Sequence, residues 1–334
     1  MNIFLALSFQ ANEKIRYKDF VVSDTNIIGL TEKGKLIFFD KEYRKKTESI
    51  DTPSKAVLLT KNRLGEIVVV DEKKRVNKYI KNKKTWEQIA NTKTNIFGVL
   101  FDSENICYII TEDGIENTKS KKRYFPNNIL NHQINYMNKW GKPYTYFIDK
   151  NNRIWIGFGY GEWGGNIFIF DTKKGEFLTP NFGKFAIELL PIKSFFETND
   201  NVFVSSGLQH MMTSGIIIKF DNINATEFYE SNSDWSRSQG KDNINNRIEG
   251  EYIGPATFNK FNNSIYYYSQ EGIKKGKLDR DLSKKENWEY GQPDAIGSPM
   301  NVLKLEILDE NKLIFLSQND GIGLFNGKEL IMLK

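Results

Sequence analysis

Histidine and cysteine, the side chains whose ordinary pKa lies nearest neutrality, are scarce in this sequence. It has two histidines, His132 and His210, and one cysteine, Cys107. A histidine with a nearby carboxylate can hold a metal or pass a proton, and His210 with Glu162 or Asp234 is the combination that an enzyme built on this chain, a lyase or hydrolase, would use. Nothing in the spacing fixes the separation of these groups, so no metal and no cofactor is assigned. A second set is richer: Tyr160, Glu162, Trp163, His210, Trp235, Arg237, Arg247 and Tyr252. Aromatic rings with a few charges among them line sites for a small amphipathic molecule, a glycan or a protein segment. Trp140, Trp163 and Trp235 also have a plainer use, as anchors that fold long loops back onto the body of the protein.

Motifs that would name a reaction are missing. Residues 159–164, GYGEWG, satisfy the spacing of a dinucleotide-binding glycine loop, but a strand, NIFIFD, follows where that loop must open a helix. The run DNINNRIEGE from Asp242 lacks the alternating ligands of a calcium loop. No phosphate-binding loop or nucleophile elbow occurs.

The elements that must position these residues repeat along the chain. Apolar runs, each following a polar turn, occur at Ile27–Leu30, Ile67–Val70, Ile106–Ile110, Ile154–Ile156, Val202–Val204, Ile265–Tyr268 and Leu313–Leu316. Measured from the lead-in residues Asn26, Gly65, Asn105, Asn152, Asn201, Asn263 and Asn311, the spacings are 39, 40, 47, 49, 62 and 48. That is the range of propeller blades. The turns before the runs are rich in Asp and Asn, which bond the backbone two residues on, so Asp24, Asp102, Asp149 and Asp309 read as turn formers. After six of the runs a glycine (Gly34, Gly114, Gly165, Gly215, Gly272, Gly321) leads into a third strand. Only the second copy, DEKKRV, lacks it. Fourth strands follow at TESI, TWEQI, RYFP, EFLT, EFYES, WEYG and ELIML. The expectation is an all-β protein, one β-propeller over residues 1–334 with seven blades of four antiparallel strands, six or eight being the alternatives.

One copy carries a family resemblance. DKNNRIWIGFG followed by GGNIFIFD resembles the propeller repeats in the sensor regions of bacterial two-component regulators, at Asp149, Asn152, Ile154, Trp155, Ile156 and Gly157. DENKLIFLSQNDGIGLFN from Asp309 keeps the pattern without the Trp, and the other five share spacing and turns alone. The resemblance implies a bacterial, sensor-like propeller and leaves function open, because propellers host unrelated activities.

Composition narrows the classes. A net charge of +5 from 47 basic and 42 acidic residues is dispersed, which argues against nucleic acid. One cysteine, inside ICYII, excludes a disulfide framework and a thiolate zinc site and reads as a small buried hydrophobe. No run is long enough to span a bilayer. The N-terminal apolar stretch has no basic residue before it, so residues 1–10 read as a closing strand, with Asn2 to Phe9 completing the last blade, and the chain as cytoplasmic. If residues 1–12 are a signal remnant, the chain is periplasmic or secreted.

Function is then expected in the irregular copies. In a propeller the turns between second and third strands and the connections between blades emerge on one face. From lead-in residue to glycine the count is 8 for Asn26 to Gly34, 9 for Asn105 to Gly114, 9 for Asn263 to Gly272 and 10 for Asn311 to Gly321. It is 13 for Asn152 to Gly165 and 14 for Asn201 to Gly215. The connections at 126–143 and about 231–255 are long as well. All four belong to blades three to six, so the reading is a non-catalytic binding or sensing module whose ligand or partner meets the loops of those blades. A sensor or scaffold acting through the rim is a further reading.

Overall fold

A computed structural model describes residues 15–42, 44–126, 140–209, 213–231, 250–291 and 302–333. Its strands form seven antiparallel four-stranded sheets, made from residues 17–50, 56–91, 96–124, 145–178, 192–231, 256–291 and 302–332. These are the seven expected blades. Each apolar run of the sequence lies in the second strand of its sheet, and each expected fourth strand is the outermost. Among the described residues no helix is long and apolar enough to cross a membrane.

Strand periodicity explains why the sheets stack around a ring. Ile154 and Ile156 point from blade four into blade three, while Trp155 between them points into blade five. A blade is therefore apolar on both sides, and one sheet alone would leave a whole side in water. Seven hydrophobic clusters result, one between each neighbouring pair. Each fully buried Ile or Phe in them contributes about 1.5–3 kcal/mol by leaving water. Cys107 is one member, a buried thiol pushed up to about 12 by burial.

Closure is made by side chains. Tyr17, Phe20 and Phe39 of blade one bury themselves against Leu308, Ile314 and Leu324 of blade seven, whose four strands all come from residues 302–332. The expected closing strand, Asn2 to Phe9, lies outside the described residues. The first strands, Tyr17–Val22, Ala56–Lys61, Ile96–Phe101, Thr145–Ile148, Ile192–Glu197, Ala256–Asn259 and Val302–Asp309, touch their neighbours in turn and line the axis.

Turns between first and second strands occupy one face, called the turn face here. Asp102 Oδ1 accepts from the N–H groups of Glu104 and Ile106 at 3.0 and 2.8 Å, and Asp149 Oδ1 from those of Asn151 and Arg153 at 2.9 Å each. Asp309 does the same for Asn311. Asp24 departs from the expectation: it is exposed, and the neighbouring Ser23 Oγ accepts the Asn26 N–H at 3.0 Å instead. Asn105 and Asn152 take positive φ (63° and 64°), and their side chains reach the turn of the preceding blade, accepting from Arg63 N and Ser103 N. The turns thus stitch blades together as well as reversing the chain. Asp149 also binds Arg153 Nε at 2.6 Å and Trp155 Nε1 at 3.0 Å, all three residues being buried. The blade without a glycine solves its turn another way. Lys74 takes the positive φ of 61°, and Asp71 accepts from Lys73 N and Arg75 N at 3.0 Å and pairs with the Arg75 guanidinium.

Candidate functional site

The opposite face, called the loop face here, is built by two unusually long hairpins. The second strands of blades four and five run over Arg153–Gly159 and Val202–Gln209, seven and eight residues against five or six in the other blades. Sequence counting made these copies long-looped, and the structure shows that the extra length is largely strand. Gly159 pairs with Gly165, which leaves 160–164 to turn, and the blade-five ladder runs out to the pair Gln209 and Thr213. The hairpins extend because their sides are covered. Glycine pairs make the room: a Cβ on Gly165 would sit 2.1 Å from Leu190 O, and one on Gly207 would sit 2.2 Å from Ile253 O. The connections into blades five and six lie in these notches. The glycines of GFGYGEWGG therefore admit a neighbouring backbone rather than a phosphate.

At the tip of the first hairpin, Gly161–Trp163 form one 3-10 turn. Tyr160 anchors it, stacking on Phe158 at 6.0 Å and 14° and donating its N–H to Gly164 O at 2.7 Å. Among the described residues its buried hydroxyl has no hydrogen-bond partner, and burial pushes it up to about 12. Glu162 is exposed, and Trp163 is 77% exposed. Gly164 backs onto the connection to blade five, which carries Leu189 at 69% exposure. A tryptophan and a leucine thus stand in water on adjoining supports. Trp140 has the other fate, 2% exposed among Phe125, Phe158, Phe168 and Phe177.

Tyr252 is not on the surface. It is 2% exposed, its N–H donates to Gln270 Oε1 at 2.6 Å, and burial pushes its hydroxyl far up. Above it lies Lys193, a residue the sequence did not single out. Lys193 Nζ is 5.8 Å from the Tyr252 ring and 5.1 Å from the Tyr144 ring, and burial pulls its amine down to about 8. Beside them Glu251 is buried with one oxygen facing the Tyr229 and Tyr267 hydroxyls, none of the three making a well-formed hydrogen bond. Lys274 Nζ stands 3.7 Å from that Glu251 oxygen and 2.8 Å from Glu271.

A backbone device places Lys193. In the first strands of blades one, two, three, five and seven the pairing slips by one residue near the loop-face end, at Lys18, Val57, Phe97, Lys193 and Leu303. Such a bulge turns an extra side chain off the sheet. These strands line the axis, so each bulge falls near its loop-face end. No sequence signal marks them, since their types differ. Deeper in, Lys304 donates to Asp19 Oδ1 at 3.0 Å and Phe20 O at 2.7 Å and pairs with Glu306 at 3.0 Å. Burial opposes its charge, but the two carboxylates outweigh that and hold the amine above the usual lysine range.

His210, Trp235, Arg237 and Arg247 lie outside the described residues, as do His132 and Asp234. Among the described residues no group of three or more His, Cys, Asp or Glu is placed to hold a metal.

Comparison with solved structures returns propellers. The WD40 repeats of RRP9 superpose with a TM-score of 0.59 at 11% identity, covering 91% of this chain and 88% of that one. U3-55K gives 0.58 at 10%, over 91% and 89%. Kluyveromyces lactis Hsv2 gives 0.57 at 13%, over 93% of each. The likeness is one of fold. No family model and no curated protein matches the sequence.

Proposed function

We propose that this chain is a non-catalytic binding module that docks a protein partner on the loop face over blades four to six. The observation that carries this reading is the pair Trp163 and Leu189, 77% and 69% exposed on a hairpin and a connection that brace each other. Large apolar side chains held in water on a rigid support are the usual centre of an interface. Tyr160 fixes the hairpin and Glu162 supplies a rim charge, and His210, Trp235, Arg237 and Arg247 are the further contacts that the sequence suggests. A sensing role, as the one-blade resemblance to regulator propellers implies, would use the same face.

Photo-crosslinking in the cells that make the protein tests it. A benzophenone residue at Leu189 should capture a discrete partner, while the same residue at Leu64, 74% exposed on the turn face, should not. Capture from Leu64 and none from Leu189 would place the interface on the wrong face and overturn the reading.

A further inference from the structure

We propose that Lys193 anchors a carboxylate site at the axial mouth of the loop face, for a single carboxylate on an apolar body: a free organic acid or the C-terminal residue of a partner chain. The inference rests on the loop face being the binding face, but it uses other residues than the Trp163 patch.

The first support is a contrast between two axial lysines. Lys304 has two carboxylates and a carbonyl. Lys193 has two aromatic rings and, among the described residues, neither a carboxylate nor a hydrogen-bond acceptor. An amine withdrawn from water without a counter-charge costs stability, and a bound carboxylate would supply that charge. The second support is the bulge. It sets Lys193 at the loop-face end of the axis, where the rings of Tyr144 and Tyr252 offer an apolar surface to the body of a ligand. A phosphate dianion fits less well, because Lys193 brings a single amine and no arginine fork.

The test is protection of Lys193 from amine acetylation, read by peptide mass spectrometry on the full chain. Phenylacetate and a peptide ending in a free phenylalanine carboxylate are compared with phenylacetamide and the same peptide amidated. Expected is a slowing of Lys193 acetylation by about ten-fold or more with the carboxylates and none with the amides, the effect of one charge-assisted contact. Protection by phenylacetate alone names a free acid as the source, and by the peptide alone a chain terminus. In direct binding, Lys193→Met should lose the probe and Lys193→Arg keep it. Equal protection by the amides, no protection by either carboxylate, or undiminished binding to Lys193→Met overturns the site. If Lys193→Met fails to fold, the wild-type footprint decides alone. A Trp163→Ala, Leu189→Ala variant separates the two readings: it should lose the protein partner and keep phenylacetate protection.

Discussion

The two faces of the ring are made from the same hairpins and treat polar groups in opposite ways. On the turn face Asp102, Asp149 and Asn152 are buried and each is bonded to backbone, to a neighbouring blade or to both. Among the described residues, seven of the eight buried side-chain polar atoms that make no hydrogen bond lie toward the loop face, on Tyr17, Trp140, Tyr160, Gln209, Tyr229, Glu251 and Tyr267; only Asn262 is in a turn. Lys193 and Trp163 add a desolvated cation and an exposed indole to the same side. One face is bonded from within, and the other sets charged and apolar groups where a partner could meet them. Sites are commonly held at the expense of stability, and the contrast predicts how mutations should divide.

The largest effect belongs to the turn face. Asp149→Ala removes the carboxylate paired with buried Arg153 and the acceptor of Trp155 Nε1. Breaking a buried pair from one side costs about 3–5 kcal/mol, so denaturant unfolding should show a loss of that size. Crosslinking from Leu189, measured well below the transition, should be unchanged. A small loss would mean that the turn network is decorative and the comparison false.

Lys193→Met should go the other way. Burial has lowered this amine from 10.5 to about 8, so between those values the unfolded chain binds more protons and wild-type stability rises with pH. Below pH 8 the penalty is present in full; above 10.5 it is gone. The variant should therefore gain roughly 1–3 kcal/mol at pH 7 and almost nothing at pH 11, compared by thermal unfolding at the two pH values. A variant that is less stable at pH 7 would show that Lys193 is compensated like Lys304.

A smaller test separates two neighbours in one turn. Ser23→Ala removes the hydroxyl that caps the Asn26 N–H and should cost about 1 kcal/mol, whereas Asp24→Ala should be neutral. Chemical denaturation resolves the pair, and the reverse order would restore the reading of Asp24 as the turn former.

That turn also shows where sequence reading stops. The blades were legible because each apolar run, its polar turn and its glycine-led partner recur with the blade period, and because burial on both sides of a sheet demands such runs. Asp149 and Trp155 were visible as part of a resemblance, and the structure links them: the buried Asp149 carboxylate holds the Trp155 indole, and also Arg153, which the sequence had not singled out. The bulges were not legible. Lys18, Val57, Phe97, Lys193 and Leu303 share a place in the backbone and no chemistry, so no pattern announces them. Nor could spacing tell an extended hairpin from a long loop, since only the notch opposite Gly165 and Gly207 reveals why the strands continue.

Trp140 and Trp163 make the final comparison, because in the sequence both are tryptophans of blade-four loops with two equally available roles. Trp140→Ala opens a hole among four phenylalanines and should cost about 3–5 kcal/mol. Trp163→Ala with Leu189→Ala removes side chains already in water, so stability should stay within about 0.5 kcal/mol while partner capture is lost. Thermal unfolding and crosslinking on the same preparations check both halves. Should the double variant lose more than about 1 kcal/mol, Trp163 is a loop anchor like Trp140. The loop face would then have lost the observation that marks it as an interface, whatever binds at the axis.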